Sequence, residues 1–223
     1  SDANIAQLTA SRFGINGATN MNITAANIQH LDSPDCKTLS LNNCRMKDMY
    51  FDIPSTVTSS NQAYVVTLEN NTIDRINASL IKIAMTSNDI LAANFYMYHS
   101  LIQLTKSMAG FIRQNTINEL SFFNNEHGTS NITTDAISKH CVYLDSNSIN
   151  DCNYGLYMDF SLYSNTINTL NNTLGEMIGF SKNYIQDWRC KVTPFGALYQ
   201  SISTTQLIAR VTGNTVHTLN IFH

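Results

Sequence analysis

Residues 163–170 read YSNTINTL, and close variants of this stretch recur as RQNTINEL at 113–120 and TGNTVHTL at 212–219. In each copy an Asn is followed two positions later by Ile or Val and five positions later by Leu. The copies lie at unequal distances along the chain. A fixed frame with variable spacing is typical of a solenoid, in which each coil packs only on its neighbours.

The frame becomes clear when this Asn is numbered position zero. Around Asn165, apolar residues occupy positions −5, −3, +2 and +5, which are Phe160, Leu162, Ile167 and Leu170. The same frame surrounds Asn71, Asn88, Asn115, Asn147, Asn183 and Asn214, and it surrounds Ala26 and Cys44 without the Asn. A half unit made of Ala3, Ile5 and Leu8 is predicted at the start, because ANIAQL resembles ANIQHL at 26–31. The nine full units average about 23 residues, within the range of repeat architectures.

The alternation around positions −5 and −3 predicts a strand with one buried face. The step from −3 to +2 is odd, so a bend must intervene, and we expect the Asn to form it because Asn tolerates left-handed backbone. Stacked Asn side chains also form hydrogen-bonded ladders. The pattern therefore predicts an all-β fold, a single-stranded right-handed parallel β-helix. We expect one domain over residues 1–223, with nine to ten coils and a length of about 43 Å.

The stretch GLYMDFSLYSNTINTL at 155–170 and the recurring Asn-x-Ile resemble the right-handed parallel β-helix of the pectin-lyase-like superfamily. Within that group the chain is most similar to the β-helix of bacteriophage tailspikes. A left-handed β-helix is disfavoured because its hexapeptide pattern is absent. The resemblance implies a module that recognises host-cell glycans, at an extracellular or virion surface, as a homotrimer or part of a longer fibrous chain. The calcium-binding Asp cluster of pectate lyases and the short Asp-Asp and Gly-His motifs of polygalacturonases are missing.

The charge and composition of the chain limit the kinds of molecule to which it could bind. Only 13 Lys and Arg occur among 223 residues and the net charge is −3, which argues against nucleic-acid binding. No apolar run reaches the length of a membrane span. Because the chain starts and stops in mid-coil, we expect it to be a piece of a longer chain or to have its ends covered by another chain. No cofactor and no metal site are predicted. The five cysteines lack CxxC spacing and are interpreted as buried free thiols, although Cys36 and Cys44 could pair.

Three acidic residues are candidates for catalysis. Glu119, Asp151 and Asp187 share position +4. The coil count places Asp151 and Asp187 about 9.6 Å apart, and it allows Glu119 to stack next to Asp151. Inverting glycosidases hold two carboxylates about 6.5–9.5 Å apart. The alternative interpretation is a row of solvated residues at a turn.

Three tyrosines are candidates for carbohydrate binding. Tyr143, Tyr163 and Tyr184 are predicted to project outward, where their rings could stack on sugar rings. The alternative is ordinary packing on a β-surface. Trp188 falls in an interior column and is predicted to be core. The polar insertions at 122–135 and 189–204 flank the coils of Asn147, Asn165 and Asn183, so we expect the site in that part of the chain.

Three functions remain open from the sequence. The first is a surface or virion module that recognises host-cell glycans, and whether it also degrades polysaccharide is left open. The second is a pectin-lyase-like carbohydrate-active enzyme, either a lyase or a hydrolase. The third is a purely structural β-solenoid.

Overall fold

A computed structural model describes residues 2–15, 19–32, 36–51, 65–80, 82–98, 110–125, 141–154, 159–173, 177–191 and 208–222. Each of these ten segments contains two β-strands. The strands are β1 (Asp2–Ala6), β2 (Thr9–Gly14), β3 (Asn20–Thr24), β4 (Asn27–Asp32), β5 (Thr38–Asn42), β6 (Arg45–Phe51), β7 (Val65–Glu69), β8 (Thr72–Leu80), β9 (Lys82–Thr86), β10 (Asp89–Tyr98), β11 (Gly110–Arg113), β12 (Thr116–Asn125), β13 (Cys141–Asp145), β14 (Ser148–Tyr154), β15 (Asp159–Tyr163), β16 (Thr166–Thr173), β17 (Met177–Ser181), β18 (Tyr184–Lys191), β19 (Ile208–Thr212) and β20 (Thr215–Phe222).

The strands form two parallel sheets of ten strands each. Sheet 1 contains the odd-numbered strands in sequence order, and sheet 2 contains the even-numbered strands in sequence order. Each strand therefore pairs with the equivalent strand of the preceding and following segment. The described chain is an all-β parallel β-helix of ten coils, as the repeat predicts.

The uneven repeat length arises between the coils. The ten described segments contain 14 to 17 residues each, and all nine connections from sheet 2 back to sheet 1 fall in the intervening ranges, from residue 81 alone to residues 192–207. The insertions at 122–135 and 189–204, which were expected to flank a site, lie mostly outside the described residues. The frame itself is nearly constant in length.

Strand pairing confirms the frame residue by residue. In the coils of Asn147 and Asn165, for example, Ile149 pairs with Ile167 and Cys152 pairs with Leu170. From the coil of Cys44 to that of Asn183, positions +2 and +5 are almost fully shielded, and so is position +7, which the sequence pattern did not include. The core is therefore a stack of layers in which each apolar side chain lies on its equivalent in the next coil.

The turn between the two sheets differs in one respect from the expectation. The left-handed residue is the one before the Asn, at position −1, in all ten coils. These residues are Gln7, Ala25, Asn43, Asn70, Ser87, Gln114, Ser146, Ser164, Lys182 and Gly213. Their φ values of 53° to 63° direct the following side chain inward, so the Asn at position zero is buried rather than forming the bend itself.

The buried Asn residues form the predicted ladder. Asn165 donates through Nδ2 to Asn183 Oδ1 (3.0 Å) and to the carbonyl oxygen of Leu144 (2.8 Å). Its Oδ1 accepts from the backbone N–H and from Nδ2 of Asn147, both at 2.9 Å. Each carboxamide thus forms hydrogen bonds with backbone groups at the turn that would otherwise be buried without partners. Buried polar groups without partners lower the stability of the folded state.

The first coil is displaced from its predicted register. Ala3 pairs with Met21 and Ile5 pairs with Ile23, which places them at positions −5 and −3 rather than at zero and +2. Leu8 then occupies position zero, where its coil has the left-handed residue Gln7 before it. The prediction of a half unit was therefore wrong. ANIAQL and ANIQHL are similar in sequence, but the first contributes to sheet 1 and the second to sheet 2. The described residues form ten coils, each with a complete frame.

The core side chains include the predicted Trp188 and four cysteines. Trp188 is buried, packs on Phe180 with ring centroids 5.0 Å apart, and donates from Nε1 to Asn172 Oδ1 at 2.7 Å. Cys36, Cys44, Cys152 and Cys190 are buried thiols that form no disulfide, which confirms the interpretation for these four and excludes a bridge between Cys36 and Cys44. Complete burial raises the pKa of Cys152 to about 12.

Replacing one Asn of the ladder tests its contribution to stability. We expect Asn165→Ala to lower the free energy of unfolding by about 3 kcal/mol, because it leaves the donors of Asn147 and the Leu144 carbonyl unpaired in the interior. The matched control is Asn168→Ala, which removes one exposed hydrogen bond to Asn150 and should cost less than about 1 kcal/mol. Urea unfolding followed by circular dichroism measures both, and equal losses would contradict the ladder's role.

The buried thiol predicts a specific dependence of stability on pH. The pKa of Cys152 rises from 9.0 to about 12 on folding, so its contribution is complete below pH 9 and is lost as the pH rises toward 12. We expect the free energy of unfolding to fall more steeply over this range in the wild type than in Cys152→Ala, by up to about 1.4 kcal/mol per pH unit. Urea unfolding at several alkaline pH values measures the two slopes, and identical slopes would refute the expectation.

Candidate functional site

A groove of about 410 Å³ runs across four coils on the outer face of sheet 2. Residues at positions +1 to +3 of the coils of Asn71, Asn88, Asn115 and Asn147 line it. They are Thr72, Ile73, Asp74, Asp89, Ile90, Leu91, Thr116, Ile117, Asn118, Ser148 and Asn150. At a strand spacing of about 4.8 Å, the groove is about 14 Å long and parallel to the solenoid axis.

The groove follows from a bend in each strand of sheet 2. Position +2 is buried, and the positions on either side of it face outward. In sheet 2, Ile90 pairs with Ile117 and Ala92 pairs with Glu119. Leu91, which lies between them at position +3, pairs with no residue of the neighbouring coils. Because positions +3 and +4 both face outward in every coil, strict alternation is interrupted there. The side chains at +1 and +3 therefore form two rows with the +2 backbone between them.

The two rows present a regular set of hydrogen-bonding groups. The +1 row consists of Thr72, Asp89, Thr116 and Ser148, and the +3 row consists of Asp74, Leu91, Asn118 and Asn150. Asn150 is held in place on both sides. Its Oδ1 accepts from Asn168 Nδ2 and its Nδ2 donates to Asp151 Oδ2, each at 3.0 Å. The groove thus offers hydroxyl, carboxamide and carboxylate groups at one-coil intervals, with one apolar side chain among them.

The predicted carboxylates lie in the +4 column beside this groove. Glu119 pairs in register with Asp151, while Thr169 separates Asp151 from Asp187. Glu119 and Asp151 directly follow the groove residues Asn118 and Asn150 in the chain. Asp187 is two coils farther along the axis than Asp151, so the structure brings Glu119 and Asp151 together more closely than the pair expected from the sequence.

The charged environment differs along the +4 column. In the first coils Asp48 has two close partners: Arg75 Nη1 lies 3.7 Å from one carboxylate oxygen and His30 Nδ1 lies 3.0 Å from the other. Asp187 Oδ2 is bound by Arg189 through Nη2 at 2.7 Å and Nε at 2.9 Å. Glu119 and Asp151 form no such ion pair with any residue that the structure describes.

Two of the predicted tyrosines project from sheet 1, away from the groove. The ring of Tyr143 stacks on Phe111, with centroids 5.5 Å apart and planes inclined by 8°, so one of its faces is occupied. Desolvation, followed by the charges of Asp145 and Tyr163, raises the pKa of Tyr143. The Tyr163 hydroxyl accepts a hydrogen bond from Lys182 Nζ at 3.0 Å, and this bond lowers the pKa of Tyr163.

The third tyrosine continues one row of the groove. Tyr184 occupies position +1 on sheet 2 and is in register with Thr166, which is itself in register with Ser148. The ring is 46% exposed, and its hydroxyl donates to Gln186 Oε1 at 3.1 Å. It lies about 9.6 Å beyond the last groove residue of the +1 row. Of the six predicted site residues, Glu119, Asp151 and Tyr184 are those nearest the groove.

The groove residues themselves were not predicted. Their signal is present in the sequence as two polar columns, at +1 and +3, flanking the apolar +2 column. Regular β-strand alternation predicts that both columns lie on an exposed face, but it does not predict that the chain bends between +3 and +4. Without that bend the two rows would be an ordinary flat surface.

Within the described residues, no group of three or more His, Cys, Asp or Glu side chains is placed to hold a metal ion. The same residues include no helix of the length and apolarity needed to cross a membrane. The chain matches no family model, and no curated protein or solved structure is significantly similar to it. The resemblance to the pectin-lyase-like superfamily and to tailspikes therefore stays a prediction beyond the level of the parallel β-helix.

Proposed function

We propose that this chain is a glycan-binding β-helix that holds an extended saccharide chain in the groove of sheet 2. The observation that carries the proposal is the groove itself, in which hydrogen-bonding side chains repeat at one-coil intervals over four coils. A linear glycan also repeats its hydroxyl groups at a regular interval along one axis. Carbohydrate sites combine such polar groups with apolar surface, which Leu91 supplies inside the groove and Tyr184 supplies beyond it.

The rigidity of the scaffold supports the same proposal. Groove residues lie on strands paired on both sides, and the backbone between them is fixed by the buried +2 column. A ligand that binds such a surface requires little ordering of the protein, which favours affinity. By contrast, Tyr143 and Tyr163 remain candidates for a separate contact on sheet 1.

Filling the groove tests the proposal. We expect Asn118→Trp to weaken binding of glycan oligomers at least tenfold, because the indole would occupy the centre of the groove. Gln29→Trp is the matched control, since Gln29 is exposed at the same +3 position of a coil outside the groove. Fluorescence polarisation with labelled neutral, amino-bearing and uronic-acid oligomers provides the affinities. An absence of binding to all three classes, or equal affinity of both variants, would refute the proposal.

A second candidate function is cleavage of the bound glycan, and the pairing of Glu119 with Asp151 favours it. Their backbones lie about 4.8 Å apart on neighbouring strands, and retaining glycosidases use carboxyl groups about 5–5.5 Å apart. Asp151 and Asp187 are the pair expected for an inverting enzyme, but Asp187 is held by Arg189. The geometry therefore favours Glu119 and Asp151 as the acid and nucleophile if the chain is an enzyme.

Isosteric substitutions separate these assignments. If Glu119 and Asp151 catalyse cleavage, Glu119→Gln and Asp151→Asn should each reduce the rate of reducing-end release at least about 100-fold while leaving binding intact. Asp187→Asn serves as the control and should retain activity. Loss of activity only in Asp187→Asn would overturn the assignment, and cleavage by none of the four proteins would leave the binding module as the function.

We further propose, from the resemblance to tailspikes alone, that the module acts at an extracellular or virion surface as a homotrimer. Light scattering in solution distinguishes a trimer from a monomer. A monomer would favour the carbohydrate-active enzyme or the structural solenoid.

A further inference from the structure

The charged residues that line the groove are all acidic. They are Asp74, on the +3 row of the coil of Asn71, and Asp89, on the +1 row of the next coil. Each is exposed. Neither carboxylate forms an ion pair or a hydrogen bond with the residues that the structure describes. Both are therefore available to a ligand.

The two carboxylates lie diagonally across the groove from each other. Asp89 is in register with Thr72, and Asp74 precedes Arg75, which is in register with Ala92. Two residues along the strand and one coil across separate their backbones, which corresponds to about 8 Å. A ligand in the groove would consequently meet one negative charge on each wall.

The charge inside the groove is negative, whereas charges of both signs surround it. Glu119 and Asp151 follow the +3 wall and lack ion-pair partners among the described residues. Arg75 follows Asp74 and lies beside Asp48, and the coil before the groove carries Arg45, in register with Thr72, and Lys47. Grooves lined by charge of one sign concentrate ions of the opposite sign. A polymer of uronic acids would bring its carboxylates beside Asp74 and Asp89, where like charges repel each other.

We propose that the groove selects a linear glycan that carries free amino groups, such as a partly or fully deacetylated hexosamine polymer. The inference rests on the proposed function, since it names the class of saccharide bound in the same groove. The ammonium groups of such a chain pair with Asp74 and Asp89, while its hydroxyl groups bond to the Thr, Ser and Asn side chains of the two rows. Electrostatic complementarity of this kind contributes specificity as well as affinity.

The test compares oligomers of one sugar that differ only in charge. Glucosamine oligomers, their N-acetylated counterparts and galacturonic-acid oligomers of equal length are titrated by fluorescence polarisation in mildly acidic buffer, in which the amines are protonated. We expect the amino form to bind about tenfold more tightly than the acetylated form, as two partly exposed ion pairs would provide, and the uronic acid to bind most weakly. Added salt should reduce the preference.

A matched pair of double variants assigns the effect to the groove. Asp74→Asn with Asp89→Asn should abolish the preference for the amino form while retaining binding of the acetylated form. Asp2→Asn with Glu69→Gln removes the same total charge from sheet 1 and should retain the preference. Circular dichroism establishes that both double variants are folded.

The outcomes separate the two levels of the argument. If no oligomer binds, the proposed function and this inference both fail. If the acetylated or uronic-acid form binds as tightly as the amino form, and Asn118→Trp still weakens binding at least tenfold, the proposed function stands and the amino-glycan specificity is overturned. An amino preference that persists in Asp74→Asn with Asp89→Asn also overturns it.

Discussion

The rest of the structure depends on a turn in which one left-handed residue precedes a buried side chain. Left-handed backbone is unfavourable for most residues, yet nine of the ten turns use a residue other than glycine there. The turn recurs because its polar groups are satisfied between coils. In the turn before Asn165, for example, the backbone N–H of Ser164 donates to the carbonyl of Ser181 at 3.0 Å, and the N–H of Asn165 donates to Asn183 Oδ1 at 2.9 Å. Hydrogen bonding along the stack therefore compensates a local conformational cost.

This turn also determines where a binding surface is possible. It holds each coil in register with the next, so any residue type that recurs at one position becomes a straight row along the axis. The groove on sheet 2 consists of two such rows, and the core consists of others. A single substitution in a row changes one point of the surface without disturbing the spacing of its neighbours. The scaffold can therefore vary its polar rows while its apolar rows stay constant.

The periodic parts of the fold could be predicted from the sequence, and the departures from periodicity could not. The apolar columns of Ile and Leu indicate strands, parallel stacking and coil number because burial acts on every coil alike. The register of the first coil was predicted wrongly because the hydrophobicity of Ala3 and Ile5 suits either sheet. The left-handed residue Gln7, followed by Leu8 at position zero, determines the register in the structure.

The candidate site was harder to predict for a related reason. The +4 column of Glu119 and Asp151 was identified correctly as a row, since register follows from the repeat. The groove beside it requires the bend between +3 and +4, which depends on backbone geometry rather than on residue type. Tyr143 and Tyr163 illustrate the same limit. Their outward direction follows from alternation, but their partners Phe111 and Lys182 come from other coils.

The ladder also has a direction. Within it, each Nδ2 donates to the Oδ1 of the following coil, from Asn71 through to Asn214, so the carboxamides point the same way along the axis. Seven aligned amide groups add their dipoles, as peptide groups do in an α-helix, with the positive end toward the coil of Asn214. The interior is thus electrically polar along these seven coils, although its walls are apolar. The coil of Asn214 consequently presents the positive end of a line of dipoles alongside the half-exposed apolar side chains of Val211 and Leu219.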